Sequence, residues 1–263
     1  MAFFADVGRR VAEGAETFAG VCAFTGETLC SFVSLAAHPR RFRAGDFALA
    51  FQRASFDGLP ISCGIGLLLG VILAFESAAA LKTFGAEVYV SDLLSLGLFR
   101  ELGPLVTAII LAGRSGGAYA AEIGTMKTDE ELDALYTMGL PPVQFLVPPR
   151  ILASVLAMPV LTVFAEIAGL AGGAAVLAAM GVPPSVFWER AVSSVDAFTV
   201  AFGLAKACLF GFLAASVGCC AGMRTRPTSD GVGVAATSAV VGGIVAIAIA
   251  DGVVAVLCYI WGV

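Results

Sequence analysis

Five long apolar runs constrain this chain of 263 residues more than any other feature of its sequence. A helix needs about 20 apolar residues to cross the hydrocarbon core of a bilayer, and each run reaches that length. Only 13% of the residues are charged, whereas soluble domains carry about a quarter. We therefore expect an all-α integral membrane protein of about five transmembrane helices, with one membrane domain over residues 55–263. The runs cover approximately residues 59–81, 98–123, 151–180, 197–222 and 232–260.

The N-terminal region, residues 1–54, is too charged to cross a membrane. From residue 1 to about 36, apolar side chains recur at steps of three, four or seven, opposite charged ones, which predicts an amphipathic helix. We expect this helix to lie along the membrane surface; the alternative is an ordinary helix packed on a partner. A basic turn at residues 38–43 follows. The apolar positions are Phe4, Val7, Val11, Phe18, Val21, Leu29 and Phe32.

The basic residues outside the apolar runs are distributed unevenly. With the N-terminus in the cytoplasm, ten of them fall on the cytoplasmic side and two, Lys82 and Arg190, on the other. Because cytoplasmic loops carry the excess of Lys and Arg in membrane proteins, we expect a cytoplasmic N-terminus and a C-terminus on the opposite side of the membrane. The ten are Arg9, Arg10, Arg40, Arg41, Arg43, Arg53, Lys127, Arg150, Arg224 and Arg226.

Ionisable side chains also fall inside the apolar runs. An ionised group at the centre of a bilayer costs about 2.5–3.5 kcal/mol or more, so each needs a partner or a polar surrounding. The set predicts either ion pairs that hold the helices together or a polar cavity, and the sequence does not choose between them. Its members are Glu76, Arg100, Glu101, Arg114, Glu122, Glu166, Lys206 and Asp251.

Between the second and third runs, residues 128–138 predict a short helix. Thr128 and Glu131 have the spacing of a capping box, and Gly139 with the prolines that follow it ends the helix. The helix has acidic residues and an apolar face, so it either docks into a groove of a soluble partner or lies against its own bundle. The apolar face consists of Leu132, Leu135, Tyr136 and Met138.

Residue content argues against several kinds of site. No cluster of Lys and Arg is large enough for a nucleic-acid-binding face. The seven cysteines lack C-x-x-C spacing and His38 is the single histidine, so neither a zinc site nor a disulfide framework is expected. A P-loop requires Gly-Lys-Ser/Thr, but Lys82 follows Leu81 and Lys127 follows Met126. We expect a non-catalytic chain that binds no metal or cofactor.

Several ordered stretches resemble one known family, the MlaE permeases. The similarity extends from about residue 55 to the C-terminus. Its strongest segments are Arg100-Glu101-Leu102-Gly103-Pro104, Ala112-Gly113-Arg114, Ala121-Glu122-Ile123-Gly124-Thr125-Met126-Lys127 and Asp133-Ala134-Leu135 with Met138-Gly139.

The resemblance implies the homodimeric core of an ABC transporter that moves phospholipid between a bacterial inner membrane and a periplasmic carrier. Its partners would be a cytoplasmic ATPase that uses ATP and Mg²⁺, an MCE-domain protein on the periplasmic side and often a STAS-domain protein. Plastid relatives would place such a protein in an inner envelope membrane.

The resemblance also assigns residues. The segment 127–139 would be the coupling helix seated in the ATPase, and the lipid cavity would lie at the dimer interface. The coupling residues would be Lys127, Glu130, Glu131, Leu132, Asp133, Leu135, Tyr136 and Met138. The cavity residues would be Leu73, Glu76, Leu81, Phe84, Arg100, Glu101 and Lys206, and we expect Asp251 to lie with them.

Three positions depart from the family pattern. Val234 stands where the family commonly has Arg, Glu76 where Gln is usual, and Tyr136 where an acidic residue is frequent. These departures concern the substrate and the partners rather than the architecture.

Our mechanistic hypothesis is that Arg100 and Lys206 attract a phosphate headgroup while Glu101 and Asp251 act as counter-charges, with the pairing left open. The alternative function is an ion-coupled secondary carrier of a small amphipathic solute, in which Glu76, Glu166 and Asp251 would relay ions.

Overall fold

A computed structural model describes residue 20, residues 23–33, residue 35 and residues 43–261. Most of the predicted N-terminal amphipathic helix lies outside these residues. Residues 23–33 are helical, and Phe24, Thr28 and Ser31 form their buried side. Leu29, a member of the predicted apolar face, is exposed. Phe32, another member of that face, is partly buried against the core cluster that contains Phe24, so the buried side includes one of the two described members of the predicted face.

The described residues contain five helices long and apolar enough to cross a membrane and no strand, which confirms the all-α fold with about five spans. Span 1 is Leu59–Lys82, span 2 is the composite helix Glu87–Thr128, span 3 is Pro142–Ala179, span 4 is Ala197–Met223 and span 5 is Ser229–Trp261. Three shorter helices accompany them: Ala44–Ser55 before span 1, Glu131–Thr137 between spans 2 and 3, and Pro184–Ser194 between spans 3 and 4.

Span 2 changes its helical geometry along its length. It begins with the 3₁₀ turn Glu87–Tyr89 and contains two π-helical segments, Leu98–Leu102 and Ala112–Gly116. The α-helical segments are Val90–Gly97, Gly103–Leu111 and Gly117–Thr128. Single π-helical turns within α-helices occur frequently at functional sites.

Two spans begin earlier than their apolar runs. Span 2 is helical from Glu87 rather than residue 98, since Glu87 and Asp92 lower the hydropathy of its first turns without breaking the helix. Span 3 starts at Pro142 rather than residue 151 and contains Pro148 and Pro149 in its second turn. Its 38 residues rise about 57 Å, so it extends well beyond the hydrocarbon core.

Spans 1 and 3 form the closest helix pair. A Cβ atom on Gly66 would lie 2.3 Å from the Ala165 carbonyl oxygen, and one on Gly70 would lie 1.8 Å from that of Gly169. Glycine is required at both positions because any side chain would overlap the backbone of span 3. Small residues allow such close approach in membrane bundles.

Span 5 lies at the edge of the bundle and packs on spans 2 and 4. Its buried residues, Ala235, Ala239, Gly243 and Ile247, recur at every fourth position and form one stripe. Asp251 continues this spacing. The remaining sides of span 5 are largely uncovered.

The helix Pro184–Ser194 is absent from the sequence prediction. Phe187 and Ala191 bury it against the bundle. Arg190 pairs with Asp92 at 3.1 Å between Nη1 and Oδ2, which fastens the helix to the start of span 2.

Candidate functional site

Lys206 lies at the centre of a charged cluster inside the bundle. Its side chain on span 4 is 1% exposed and forms ion pairs with Glu101 of span 2 and Asp251 of span 5. The Lys206 Nζ lies 2.6 Å from the Asp251 Oδ1 and 3.5 Å from the Arg100 carbonyl oxygen. The contact with Asp251 is an ion pair without hydrogen-bond geometry, since the Asp251 Oδ1 has no hydrogen-bond partner among the described residues. We call Glu101, Lys206 and Asp251 the Lys206 cluster.

The π-helical segment Leu98–Leu102 and a glycine place these groups together. A Cβ on Gly203 would lie 2.1 Å from the Phe99 carbonyl oxygen, so span 4 touches the backbone of this segment directly. One turn further along span 4, Lys206 reaches Glu101. Sequence reasoning missed Gly203; its signal was a glycine three residues before an intramembrane lysine.

The Lys206 cluster joins three spans by charge. One ammonium between two carboxylates satisfies the requirement that a buried charge be paired. Removing one member of a buried ion pair costs about 3–5 kcal/mol, because the other charge is left uncompensated. Spans 2, 4 and 5 are therefore coupled at this level of the bundle.

The structure places the other predicted cavity residues on span 1 and the loop after it. Leu73 and Leu81 are half-buried against the core cluster that contains Leu98. Glu76 and Phe84 are exposed, and among the described residues Glu76 has no ion pair with Lys206. Arg100 is partly exposed beside Glu101.

Glu166 is a buried carboxyl group next to Gly103, the residue that follows the π-helical segment Leu98–Leu102. It lies on span 3, 1% exposed, and its Oε2 has no hydrogen-bond partner among the described residues. A Cβ on Gly103 would lie 2.7 Å from its Oε1. Thr107 and Thr162, about one turn away, are hydrogen-bonded at 2.9 Å between their hydroxyl oxygens. Spans 2 and 3 are thus joined by a hydroxyl–hydroxyl hydrogen bond about one turn from an unpartnered carboxyl oxygen.

A second charged group lies at the end of the bundle next to Glu131–Thr137, which we call the short-helix end. The carboxylate of Glu122 on span 2 is paired with two arginines. Its Oε1 lies 2.7 Å from the Nη1 of Arg53, and its Oε2 lies 3.3 Å from the Nη2 of Arg150 on span 3. Arg114, in the second π-helical segment, pairs with Asp57 at 3.2 Å and donates to the Arg53 carbonyl oxygen at 2.9 Å. These five residues form the arginine–carboxylate cluster.

The short helix Glu131–Thr137 presents two different sides. Leu132 and Leu135 are buried in the core cluster of spans 2 and 3. Tyr136 and Met138 are 62% and 64% exposed. Exposed acids flank them at Asp129, Glu130, Glu131 and Asp133. The predicted apolar face is therefore divided between the bundle and an uncovered surface.

The predicted capping box of this helix is wrong. Thr128 ends the preceding helix of span 2, and its hydroxyl donates to the Gly124 carbonyl oxygen at 3.0 Å. Glu130, with φ of 60°, takes the N-cap position. The side chain of Thr128 bonds its own helix because span 2 continues four residues beyond Gly124.

Lys127 connects span 2 to span 4. Its Nζ donates to the Met223 carbonyl oxygen at 2.8 Å, and Met223 is the last residue of span 4. A lysine at the C-terminus of a helix satisfies a free carbonyl and interacts favourably with the helix dipole. Lys127 is therefore held inside the bundle, apart from the exposed acids of the short helix.

An open groove of about 810 Å³ follows the outer side of span 5. Polar side chains are frequent in it although it lies on a helix with the composition of a membrane span. Its lining consists of Ser229, Asp230, Gly233, Val234, Thr237, Ser238 and Val241. Val234, the position at which the family pattern has Arg, is 70% exposed.

No group of three His, Cys, Asp or Glu side chains in the described part of the chain is arranged to hold a metal ion. The charged groups are instead paired within each cluster, one lysine with two carboxylates in the Lys206 cluster and three arginines with two carboxylates in the arginine–carboxylate cluster. The arrangement can bind and orient charged groups.

The chain matches a family model and several curated proteins. The model described as Permease MlaE matches residues 47–257. A probable ABC transporter permease protein of Synechocystis, slr1045, is 36% identical over 197 residues, 73% of this chain and 75% of the relative. The intermembrane phospholipid transport system permease protein MlaE of Haemophilus influenzae is 37% identical over 178 residues, 67% and 68% of the two chains.

A plant protein is similar over the same region. The chloroplastic protein TRIGALACTOSYLDIACYLGLYCEROL 1 of Arabidopsis thaliana is 34% identical over 197 residues, 73% of this chain and 56% of the relative. The family model spans all five transmembrane helices apart from the last residues of span 5. On the strength of this match and of the identities above, the chain belongs to the MlaE permease family.

Proposed function

We propose that this chain is the membrane-spanning, non-catalytic subunit of an ABC transporter that moves phospholipid between the inner membrane and a periplasmic MCE-domain carrier. The observation that carries the proposal is the Lys206 cluster, in which a buried lysine is paired with carboxylates of two neighbouring spans. Charged side chains are retained inside a membrane where they serve transport. The relatives named as phospholipid and ABC permeases support the same function.

The substrate headgroup is assigned to Arg100 rather than Lys206. The side chain of Lys206 is 1% exposed and its ammonium group is paired with Glu101 and Asp251, so it orients the carboxylates. Arg100 is partly exposed, and a guanidinium group binds phosphate oxygens in pairs. In this assignment Glu101 and Asp251 hold Lys206, and Lys206 holds the π-helical segment that carries Arg100.

The functional unit is a homodimer with span 5 at its interface. Thr237 and Ser238 are exposed on the groove side of span 5, and hydroxyl groups in hydrocarbon favour contact with another helix. A second copy would cover this side and enclose the groove. The exposed side of span 1, with Glu76, would then contribute to the same cavity.

The energy comes from a separate ATPase subunit that uses ATP and Mg²⁺. Its docking surface is the exposed side of the short helix, formed by Tyr136, Met138 and the neighbouring acids. Lys127 links the base of this helix to the end of span 4, and span 4 carries Lys206. Motion of the short helix would thus reach the Lys206 cluster through one continuous helix. A STAS-domain protein is a further expected partner.

The protein is placed in the bacterial inner membrane with a cytoplasmic N-terminus and a periplasmic C-terminus. The distribution of basic residues supports this orientation, and it puts the short helix on the side where ATP is available.

Affinity purification of the full chain in mild detergent tests the proposal. Mass spectrometry of the sample is expected to find an ABC ATPase, an MCE-domain protein and bound phospholipid. A chain that purifies without either protein and without phospholipid, and that transports a solute under an ion gradient alone, would contradict the proposal in favour of an ion-coupled carrier.

A further inference from the structure

The arginine–carboxylate cluster at the short-helix end has an excess of positive charge. Three guanidinium groups, Arg53, Arg114 and Arg150, share the carboxylates of Asp57 and Glu122, which leaves a net charge of +1. The cluster lies far from the Lys206 cluster. Glu101 and Glu122 are 21 residues apart in span 2, about 30 Å along a helix.

Arg53 is the outermost of the three arginines. Its side chain is 57% exposed, whereas that of Arg150 is 15% exposed. In the described part of the chain, the guanidinium group of Arg53 has one ion pair, from Nη1 to Glu122. A guanidinium group carries five N–H donors in a planar fork, so Arg53 retains donors for an external oxyanion.

Exposed apolar side chains flank Arg53 on the same side of its helix. Leu49 precedes it by four residues and Phe56 follows it by three, and both are at least half exposed. Phe56 continues the helical backbone geometry beyond Ser55, so the spacing puts all three on one face. This face therefore carries one guanidinium group with unused N–H donors, and apolar side chains lie on either side of it. A lipid with an anionic headgroup requires this combination for binding.

We propose that Arg53, with Leu49 and Phe56, binds an anionic phospholipid of the cytoplasmic leaflet. The phosphate accepts hydrogen bonds from the free donors of Arg53 and neutralises the excess charge of the cluster, while the acyl chains lie along Leu49 and Phe56. Basic pockets between transmembrane helices on the cytoplasmic side are suited to anionic headgroups. This lipid is a fixed ligand that holds Ala44–Ser55 at the interface, separate from any transported lipid.

Native mass spectrometry of the full chain tests this site. The protein, with any subunits that co-purify, is taken from nanodiscs made of equal amounts of phosphatidylglycerol and phosphatidylcholine, and the retained lipids are counted. Wild type is expected to retain phosphatidylglycerol in preference. Arg53→Gln is expected to lower that preference about tenfold or more, since hydrogen bonds to a charged group contribute about 1.5–3 kcal/mol.

Arg190→Gln is the matched control, because Arg190 is also a partly exposed arginine paired with a carboxylate, at the other end of the bundle. It is expected to leave the preference unchanged. Glu122→Gln removes the carboxylate that pairs with Arg53 and so increases the net positive charge of the cluster. The preference for phosphatidylglycerol should therefore be kept or increased, which a misfolded protein would not show. An unchanged preference in Arg53→Gln, an equal loss in Arg190→Gln, or a loss in Glu122→Gln would overturn the proposal.

A parallel sample with millimolar inorganic phosphate separates lipid from free phosphate. Phosphatidylglycerol is expected to stay bound because its acyl chains add contacts with Leu49 and Phe56. Complete displacement would assign the site to free phosphate and reject the lipid. The measurement uses neither ATP nor transport, so its outcome is independent of the proposed function.

Discussion

The Nζ of Lys206 on span 4 lies 2.6 Å from the Oδ1 of Asp251 on span 5, and the same ammonium pairs with Glu101 on span 2. Span 5 makes most of its remaining buried contacts through small residues. The ion pair therefore adds a charged attachment of span 5 to the bundle. Through Lys206, span 4 is tied by charge to both neighbouring spans.

Replacement of Lys206 by Met is expected to destabilise the protein, because Glu101 and Asp251 would be left as uncompensated carboxylates. The loss should be about 3–5 kcal/mol, measured as the free energy of unfolding in detergent. The exposed Lys82→Met variant is the control and should be near wild type. Adding Asp251→Asn to Lys206→Met should recover part of the loss; a double variant no more stable than the single one would argue against the pairing.

Gly203→Ala is expected to reduce phospholipid transfer sharply. A Cβ at this position would overlap the Phe99 carbonyl oxygen, so span 4 must move away and carry Lys206 from Glu101. Gly64→Ala is the matched control, since a Cβ there meets nothing within 4 Å. Equal transfer rates for the two variants in proteoliposomes would contradict the role given to Gly203.

The sequence alone predicted the five spans and identified the charged residues inside them. It did not predict which of these residues form ion pairs with one another. Hydropathy identifies charges inside a span, whereas their partners depend on the rotation of each helix and on the close approach of Gly203 to the Phe99 backbone, which leaves no room for a Cβ atom. Thr128 illustrates the same limit at a helix end. Its spacing to Glu131 fits a capping box, yet the hydroxyl bonds Gly124 because span 2 continues through it.

Lys127→Met is expected to uncouple ATP hydrolysis from transfer. The variant loses the hydrogen bond to the Met223 carbonyl oxygen while the exposed side of the short helix stays intact. ATP hydrolysis by the purified complex should remain near wild type, and lipid transfer per ATP should fall several-fold. Lys127→Arg retains an N–H donor at this position and should keep much of the wild-type lipid transfer per ATP hydrolysed. A parallel fall of both activities would indicate lost assembly instead.

The two sides of the short helix are expected to respond differently to truncation. Leu135→Ala removes a buried side chain and should cost about 2–5 kcal/mol of stability. Tyr136→Ala changes an exposed one and should leave the stability of the isolated chain unchanged while weakening its association with the ATPase. Calorimetry and co-purification measure the two effects. Normal ATPase association in Tyr136→Ala would place the docking surface elsewhere.

The most direct test of the proposed transport is transfer of a fluorescent phospholipid by the complete complex. Proteoliposomes that contain this chain and its ATPase are mixed with a lipid-accepting MCE-domain carrier, and transfer is followed with ATP and with a non-hydrolysable analogue. The account predicts transfer that depends on ATP hydrolysis and is lost in Arg100→Ala, while Arg190→Ala transfers normally. Transfer that is independent of ATP, or unaffected by Arg100→Ala in a folded complex, would contradict it.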